Sequence, residues 1–155
     1  MPRAPFNVLV LPYRRRPAFE VAVLHRRDYD CWQFVSGGVE EGETVEAAAR
    51  REGFEEAAIP RTAAYRRLDA TAMVPACYFS AWPTWPEHVL LVREQAFAVE
   101  AETITLSSEH DDVRWLGYAD AVALLRFDSN RVALWELRER LYPGARCKRT
   151  AFSDF

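Results

Sequence analysis

The sequence lacks the features that mark secreted, membrane-spanning and metal-stapled proteins. Its three cysteines, Cys31, Cys77 and Cys147, are far apart and have no CxxC spacing, which argues against a disulfide framework or a zinc site. No apolar run approaches the ~20 residues that span a bilayer. The short apolar stretch near the N-terminus precedes its arginine cluster, the reverse of a secretory signal. We therefore expect a cytoplasmic protein with reduced thiols and no membrane association.

An excess of one charge is missing as well. The 20 basic and 23 acidic residues give a formal net charge of −3, which disfavours a DNA- or RNA-binding scaffold. Hydrophobic residues make up 50% of the chain and charged residues 28%, so a packed core is expected rather than disorder. The length of 155 residues fits a single domain over residues 1–155, with the tail 143–155 loosely held.

The hydrophobic pattern predicts strands, one helix, more strands and two final helices. The strand-like runs are 6–13, 18–26, 31–36 (ended by Gly37 and Gly38), 65–79 with a break near Pro75, 88–99 and 113–116. The helical runs are 44–58 capped by Thr44, 119–126, and 130–142 capped by Asp128 or Ser129. Residues 80–87 are predicted to be a loop. This order predicts an α/β sandwich with a mixed sheet.

Three glutamates occupy helix positions that a core-facing helix would fill with apolar side chains. Glu52, Glu55 and Glu56 are spaced i, i+3, i+4 and share one helical stripe. Like charges at this spacing repel by roughly 0.2–0.5 kcal/mol per exposed pair. Arg50 and Arg51 are expected to point to other faces, so a hard divalent cation is the simpler partner for the carboxylates. A solvated acidic face on a surface helix is the alternative interpretation.

The segment from Gly37 to Ile59 resembles the Nudix box, in which G, five residues, E and seven residues precede R-E-U-x-E-E-x-G-U, with U a bulky aliphatic. The matching positions are Gly37, Glu43, Arg51, Glu52, Glu55, Glu56 and Ile59. Gly53 stands where an aliphatic residue is usual, which costs about 1 kcal/mol relative to alanine in a helix. Ala58 stands where glycine is usual and is expected to weaken the left-handed helix stop, which Pro60 then supplies.

The resemblance implies a Nudix-type α/β/α sandwich with a loop–helix–loop motif that binds Mg²⁺, or alternatively Mn²⁺. It implies that Glu52, Glu55 and Glu56 ligate the metal, joined by the backbone carbonyl of Gly37 or Gly38. It also implies a structural ion pair between loop and helix, formed by Glu43 and Arg51.

The implied reaction is hydrolysis of a diphosphate linkage in a nucleoside diphosphate joined to another group, by attack of water at phosphorus. A carboxylate serves as general base. The catalytic candidates are Glu56, Glu55 and Glu109; Glu109 would also reach the metal from a polar loop. Asp111 and Asp112 are weaker alternatives to Glu109, and His110 is expected at the surface.

Several short pieces, most of them outside the box, resemble the dihydroneopterin triphosphate diphosphatase branch of this family. They are residues 25–28, Trp32, residues 36–44, Glu109-His110, Trp115-Leu116 and residues 129–131. Arg26 and Arg27 are candidates to bind phosphate, or else to pair with Asp28 and Asp30. Trp32, Trp82 and Trp85 are candidates to stack on a flat heterocycle, or else belong to the core.

Several functional alternatives stay open from the sequence. The substrate is expected to be a small nucleotide-like or pterin triphosphate; ADP-ribose and dinucleoside polyphosphates are further options. A non-catalytic sensor that binds a phosphorylated metabolite is the alternative function, and RNA cap processing is disfavoured by the acidic pI of about 5.7. Family members are often dimers, so a homodimer is compatible with the resemblance.

Overall fold

A parallel pairing between the first and sixth strands organises the sheet. The computed structural model describes residues 2–143. Its strands are β1 (Arg3–Arg14), β2 (Glu20–Arg26), β3 (Cys31–Gln33), β4 (Val35–Glu40), β5 (Tyr65–Pro75), β6 (Leu91–Glu100) and β7 (His110–Leu116); its α-helices are α1 (Val45–Ala57), α2 (Tyr118–Leu124) and α3 (Asp128–Leu141). The sheet order is β3-β2-β1-β6-β5, with β4 also paired to β1 and β7 to β2. β1 and β6 are parallel and the other pairs antiparallel, so the predicted mixed sheet is confirmed.

The central strand β1 is apolar on both faces because helices cover both sides of the sheet. Val8 and Val10 point to one side and pack in a buried cluster with the alanines of α1. Leu9 and Leu11 alternate to the other side and pack in a cluster with α2 and α3. We call these two sides the α1 face and the α3 face. The resulting architecture is the predicted α/β/α sandwich.

The glycine pair does not end a strand, so that prediction was wrong. β4 begins at Val35, continues through Gly37 and Gly38 to Glu40, and pairs with β1 on both sides of a bulge between Arg3 and Asn7. Neither glycine has a positive φ, in contrast to Gly42 at φ 82°. What the pair provides is space. A Cβ on Gly37 would lie 2.0 Å from the Glu52 carboxyl carbon, and one on Gly38 would lie 2.3 Å from Nε of Arg3.

The other predicted elements are present with shifted ends. β5 ends at Pro75 as predicted, but a 3-10 turn (Ala76–Tyr78) follows it instead of further strand. The predicted loop 80–87 contains a second short turn, Trp82–Thr84. α3 begins at Asp128, and the cap position is Phe127 with no side-chain hydrogen bond, so the predicted caps Asp128 and Ser129 were wrong. Asp128 instead lies in the first turn, where the helix dipole favours a carboxylate.

Two sequence predictions concern the ends and the membrane. The predicted loose tail falls almost entirely on residues 144–155, which lie outside the described residues. Between residues 2 and 143, no helix has the length and apolarity needed to cross a membrane.

Candidate active site

Helix α1 begins and ends through local backbone chemistry. At its start the Thr44 hydroxyl accepts a hydrogen bond from the Ala47 amide at 3.1 Å, as predicted. At its end Ala58 itself adopts the left-handed conformation, φ 55° and ψ 28°, and its N–H donates to the carbonyls of Gly53 and Phe54. The expectation that Pro60 replaces the left-handed stop was therefore wrong. The stop forms at Ala58 despite a Cβ that disfavours this region by roughly 1–2 kcal/mol.

The second departure from the motif, Gly53, makes room for an aromatic side chain. A Cβ at Gly53 would lie 2.2 Å from the hydroxyl oxygen of Tyr65 and 3.1 Å from the ring carbon that carries it. Tyr65 begins β5 and packs beside the α1-face cluster. The missing side chain therefore lets β5 approach the helix closely. The helix is regular across this position.

Arg51 holds the loop and the acidic side of the helix together. Its Nε and one terminal nitrogen donate to the two Glu43 oxygens at 3.0 and 2.9 Å, and that same nitrogen donates to the Gly38 carbonyl at 2.7 Å. The other terminal nitrogen donates to Glu52 at 2.7 Å and to Glu55 at 3.3 Å. Burial opposes ionisation of Glu43, but the bonds from Arg51 and the Glu40 amide outweigh it and lower the Glu43 pKa.

The contacts of Arg51 contradict one expectation from the sequence and agree with another. Arg51 does not point away from the glutamates, so the expectation that it faces another side of the helix was wrong, and this removes one reason for preferring a divalent cation as their partner. The ion pair between Glu43 and Arg51, which the resemblance implied, is present in the structure as a bidentate contact. Arg50 does turn elsewhere, donating to the Arg61 and Ala63 carbonyls.

Of the three glutamates on the acidic stripe, two are buried. Glu52 is 9% exposed and lies against Gly37, and burial raises its pKa even though Arg51 lies beside it. Glu56 is 5% exposed, and its Oε2 has no hydrogen-bond partner. Burial, followed by the charges of Glu52 and Glu109, raises the pKa of Glu56 to about 8. Glu55 is on the exposed side, so the acidic stripe is only partly a solvated face.

The loop before β7 is fastened to the end of α1 and to β2. The Ser107 amide donates to the Glu56 carbonyl at 3.2 Å, and the Arg27 amide donates to the Glu109 carbonyl at 3.1 Å. These bonds bring Glu109 close enough for its charge to act on Glu56. The Glu109 side chain is 56% exposed, and its Oε2 lies 3.9 Å from a terminal nitrogen of Arg26.

His110 is buried, so the expectation of a surface histidine was wrong. It is 2% exposed, and its Nε2 lies 3.8 Å from Oε2 of Glu56. Neither ring nitrogen has a hydrogen-bond partner within residues 2–143. Burial, together with the positive charge of Arg26, lowers the pKa of His110. A neutral imidazole is thus the immediate neighbour of the unpaired Glu56 oxygen.

The predicted substrate-binding residues differ in their surroundings. Arg26 donates to Asp28 at 2.7 Å and faces the loop of Glu109. Arg27 contributes its backbone to that loop and has an exposed side chain. Trp32 is partly buried between the His25 ring, 5.0 Å between centroids, and the Arg114 guanidinium at 4.5 Å.

The other two tryptophans lie in the segment that follows β5. The Trp82 indole N–H donates to the Val89 carbonyl at 3.2 Å, and that of Trp85 donates to the Arg3 carbonyl at 2.6 Å. Trp85 therefore fastens this aromatic segment to the first residue of β1.

Two polar groups beside the site were not singled out from the sequence. Arg3 lies against Gly38, and Glu94 is 7% exposed on β6. Glu94 had only a weak signal: it lies in the predicted strand 88–99 between the polar residues Arg93 and Gln95, and a buried carboxylate there needs a specific partner. Arg3 had none, because its position depends on the bulge between β1 and β4.

The residues fit a divalent cation in their chemistry. Carboxylate oxygens are the ligands that Mg²⁺ prefers, and the unpaired, buried Glu56 oxygen lacks the donor or cation that such an atom needs. The side chains as they stand do not yet converge, since the described chain, residues 2–143, contains no group of three or more acidic, His or Cys side chains placed to hold a metal. Arg51 occupies one oxygen each of Glu52 and Glu55, which leaves the second oxygen of each carboxylate without a bond to Arg51.

Comparison with known proteins defines the class. The sequence model of the NUDIX domain matches residues 2–136. The chain therefore belongs to the Nudix family and is a Nudix hydrolase. Members of this family generally use divalent metals and act on small nucleotide-like substrates.

Individual relatives cover nearly the whole chain. Dihydroneopterin triphosphate diphosphatase of Escherichia coli (strain K12) is 34% identical over 136 residues, which is 85% of this chain and 91% of that protein. A Nudix hydrolase from Listeria monocytogenes superimposes with a TM-score of 0.79 at 39% identity, covering 89% of this chain and 94% of that one. The structure of the E. coli dihydroneopterin triphosphate pyrophosphohydrolase superimposes with a TM-score of 0.71 at 32% identity, covering 85% of this chain and 93% of that one. The predicted resemblance to this branch is confirmed.

Proposed function

We propose that this chain is a Mg²⁺-dependent pyrophosphohydrolase whose substrate is dihydroneopterin triphosphate or a related nucleoside triphosphate. The observation that supports it best is the pair of buried carboxylates, Glu52 and Glu56, set beside Gly37 with one oxygen of Glu56 unpaired. An unsatisfied buried acceptor costs about 1–3 kcal/mol. A bound cation removes that cost.

The proposed metal ligands are Glu52, Glu55 and Glu56, with the Gly37 carbonyl and Glu109 as further candidates. When bound, Mg²⁺ neutralises phosphate charge and lowers the pKa of a bound water. Mn²⁺ offers the same chemistry. Arg51 connects the helix to Glu43 in the preceding loop. We therefore assign a structural role to Arg51, Glu43 and Gly38.

Either Glu56 or Glu109 is proposed as general base. Glu56 is a candidate because it is buried beside the proposed metal ligands with one oxygen free of hydrogen bonds, where a carboxylate can accept a proton from a metal-bound water. Glu109 has the opposite advantage, because its exposed carboxylate is free to reach a water outside the buried pair. Arg26 and Arg27 are proposed to contact phosphate beside this loop.

The substrate assignment follows the E. coli relative, whose name states dihydroneopterin triphosphate. The test is a panel of this compound, deoxynucleoside triphosphates, ADP-ribose and a dinucleoside polyphosphate, assayed with Mg²⁺. For the triphosphates, orthophosphate is measured with and without added inorganic pyrophosphatase, since a pyrophosphate product needs that enzyme to be detected. For ADP-ribose and the dinucleoside polyphosphate, whose cleavage yields nucleotides or sugar phosphates and no pyrophosphate, alkaline phosphatase is added instead. We expect pyrophosphatase-dependent phosphate release, fastest with dihydroneopterin triphosphate.

Two variants sharpen this test. Glu56→Gln keeps the volume and removes the charge, and we expect it to lower the rate by several orders of magnitude. Glu46→Gln is the control, because Glu46 lies on the same helix but pairs with Arg67 at the surface. Measurable ligand binding without turnover on any substrate would instead support a sensor. A loss of less than tenfold in Glu56→Gln would remove Glu56 from the active site.

A further inference from the structure

A bulge in β7 lies directly beside the candidate active site. His25 and Arg26 are consecutive on β2, but their partners on β7 are two residues apart, so Asp111 between those partners is left without one on β2. A bulge of this kind interrupts the ladder and redirects the side chains next to it. On the side nearer the site, the bulge is followed by His110 and Glu109. The place of Glu109 therefore depends on what holds Asp111.

One imidazole ring holds this extra residue. Nδ1 of His25 lies 2.5 Å from Oδ1 of Asp111, and Nε2 lies 2.9 Å from Oδ1 of Asp30 in the turn between β2 and β3. An ionised carboxylate only accepts hydrogen bonds, and a neutral imidazole has a single N–H. Both contacts are hydrogen bonds only when the ring carries two protons. His25 thus joins the bulge to the turn as a cation between two anions.

The charges around the ring agree with this protonation state. The bond to Asp111 is the largest of the effects that raise the pKa of His25, and the same contact lowers the pKa of Asp111. Arg114 is the cation nearest to this cluster on β7, and its guanidinium stacks on the Trp32 ring at 4.5 Å. The charged side chains near the pair are Arg27 and Asp30 from the turn and Asp111, Asp112 and Arg114 from β7.

The ring acts on the candidate active site only through the backbone. It stacks on Trp32, with 5.0 Å between the ring centroids, and Trp32 packs against the α3-face cluster. His25 therefore lies on the side of the sheet opposite to α1, the helix that carries Glu56. Its effect must pass along β7 to Glu109, whose carbonyl accepts a hydrogen bond from the Arg27 amide at 3.1 Å.

We propose that His25 is a positioning residue that holds the bulged Asp111 against β2 and thereby fixes the loop that presents Glu109. The role of Glu109 in this proposal rests on the proposed function. The alternative is a surface contact that adds stability without affecting the loop. The two bonds of the ring separate these possibilities, because Asp30 and Asp111 both bind it and only Asp111 is adjacent to the loop.

The first measurement is amide hydrogen exchange at pH 6 in EDTA, where neither metal nor turnover is involved. The reporter is the Arg27 amide, which is protected while it donates to the Glu109 carbonyl. His25→Phe keeps an aromatic ring on Trp32 and removes both donors. We expect the Arg27 amide to exchange about tenfold faster in this variant than in the parent chain, as loss of one charged hydrogen bond at a partly exposed site would cause.

Two further variants divide the contacts of the ring. Asp111→Ala removes the bond to the bulge and should speed exchange of the Arg27 amide as much as His25→Phe does. Asp30→Gly is the matched control, because it removes the other bond without backbone strain: Asp30 has a φ of 45°, which glycine adopts freely. We expect the control to exchange within about twofold of the parent chain.

The second measurement is kcat and KM with Mg²⁺ and the panel substrate that the parent chain turns over fastest. His25→Phe should lower kcat about tenfold with little change in KM, because a misplaced group slows the reaction more than it weakens binding. The double variant with Asp111→Ala should be no slower than either single variant, since both remove the same contact. His25→Gln keeps one amide donor and should recover part of the loss.

Thermal unfolding of each variant separates positioning from stability. A lowered melting temperature in His25→Phe, with Arg27 exchange and kcat both within about twofold of the parent chain, makes His25 a purely structural residue and overturns the proposal. Equal effects of Asp30→Gly and His25→Phe overturn it as well. So does a loss of kcat in Asp111→Ala that is absent in His25→Phe, because Asp111 then acts by itself. If His25→Phe does not fold, His25→Gln decides by the same criteria.

Failure of this proposal differs from failure of the proposed function. Turnover by the parent chain, with unchanged Arg27 exchange and kcat in His25→Phe, keeps the hydrolase and refutes the positioning role. No turnover by the parent chain on any substrate refutes the hydrolase, whereas faster Arg27 exchange in His25→Phe but not in Asp30→Gly still supports the hold of His25 on the loop.

Discussion

Replacing Glu56 with glutamine should inactivate the protein and stabilise its metal-free fold. The reason is that Glu56 is a buried acid whose Oε2 has no partner within the described residues. Burial and two neighbouring negative charges raise its pKa from 4.5 to about 8. An amide of the same shape carries no charge, so the variant avoids the cost of ionising a carboxyl in this position.

The size and sign of the effect follow from the two pKa values. A carboxyl with a higher pKa in the folded than in the unfolded chain binds its proton more tightly when folded. The folded state therefore loses stability as the pH rises from 4.5 towards 8, and the loss is complete above that range. One pKa unit equals about 1.36 kcal/mol. At pH 7 the penalty amounts to roughly 3 kcal/mol, and Glu56→Gln should recover most of it.

Urea unfolding in EDTA across pH 5–8.5 measures this difference. The free energy of unfolding of Glu56→Gln should exceed that of the parent chain by a small amount near pH 5, and this gain in stability should grow with pH. The control Glu46→Gln removes an exposed carboxylate from the same helix and so measures what the loss of a surface charge does by itself. Above pH 7 the lowered pKa of His110 keeps that ring neutral, so its titration does not enter. Added Mg²⁺ should reduce the gain, because it stabilises the parent chain more than the variant.

The test depends on how the stability difference between Glu56→Gln and the parent chain changes with pH, rather than on its value at one pH. The amide brings its own unpaired groups, and these shift the variant equally at every pH. If the stability difference between Glu56→Gln and the parent chain stays constant from pH 5 to 8.5, then Glu56 titrates normally. In that case the burial argument for this residue is wrong.

Three further substitutions test the motif departures and the loop contact, each by chemical denaturation. Gly53→Ala should lower the free energy of unfolding by about 2 kcal/mol through overpacking against Tyr65. Adding Tyr65→Phe to this variant should restore part of the lost stability. Equal stability of Gly53→Ala and the parent chain would contradict the close approach of Tyr65 to the helix. Ala58→Gly should stabilise by about 1 kcal/mol, because glycine adopts the left-handed conformation freely. Arg51→Met should destabilise by roughly 2 kcal/mol, since it leaves the half-buried Glu43 without its cation; a neutral result would show that this contact carries no stability.

The features that could be predicted from the sequence are those that depend on neighbouring residues in the chain. The register of glutamates, Thr44 at the helix start and the break at Pro75 all follow from short-range propensity and spacing, and the structure contains each of them. The mixed sheet follows from the order of elements. The candidate ligands Glu52 and Glu56 could be named because the motif fixes them on one helix side.

What the sequence did not predict depends on contacts between distant segments. His110 is polar and follows a polar loop, so nothing local indicates burial; it is buried because Ser107 and Arg27 fasten that loop to α1 and β2. The glycine pair looked like a strand end, because two glycines usually interrupt a strand. Pairing with β1 overrides that preference, and the missing side chains admit Glu52 and Arg3.

The direction of Arg51 shows why charge patterns on one helix are hard to interpret alone. Helical geometry separates Arg51 from Glu52 by 100°, yet a long side chain reaches both that neighbour and Glu55, as well as Glu43 in the loop. One guanidinium thus compensates three carboxylates, and repulsion among the glutamates is not by itself a reason to invoke a cation. The case for a metal depends instead on Glu56, which Arg51 does not contact and which is the carboxylate buried beside His110.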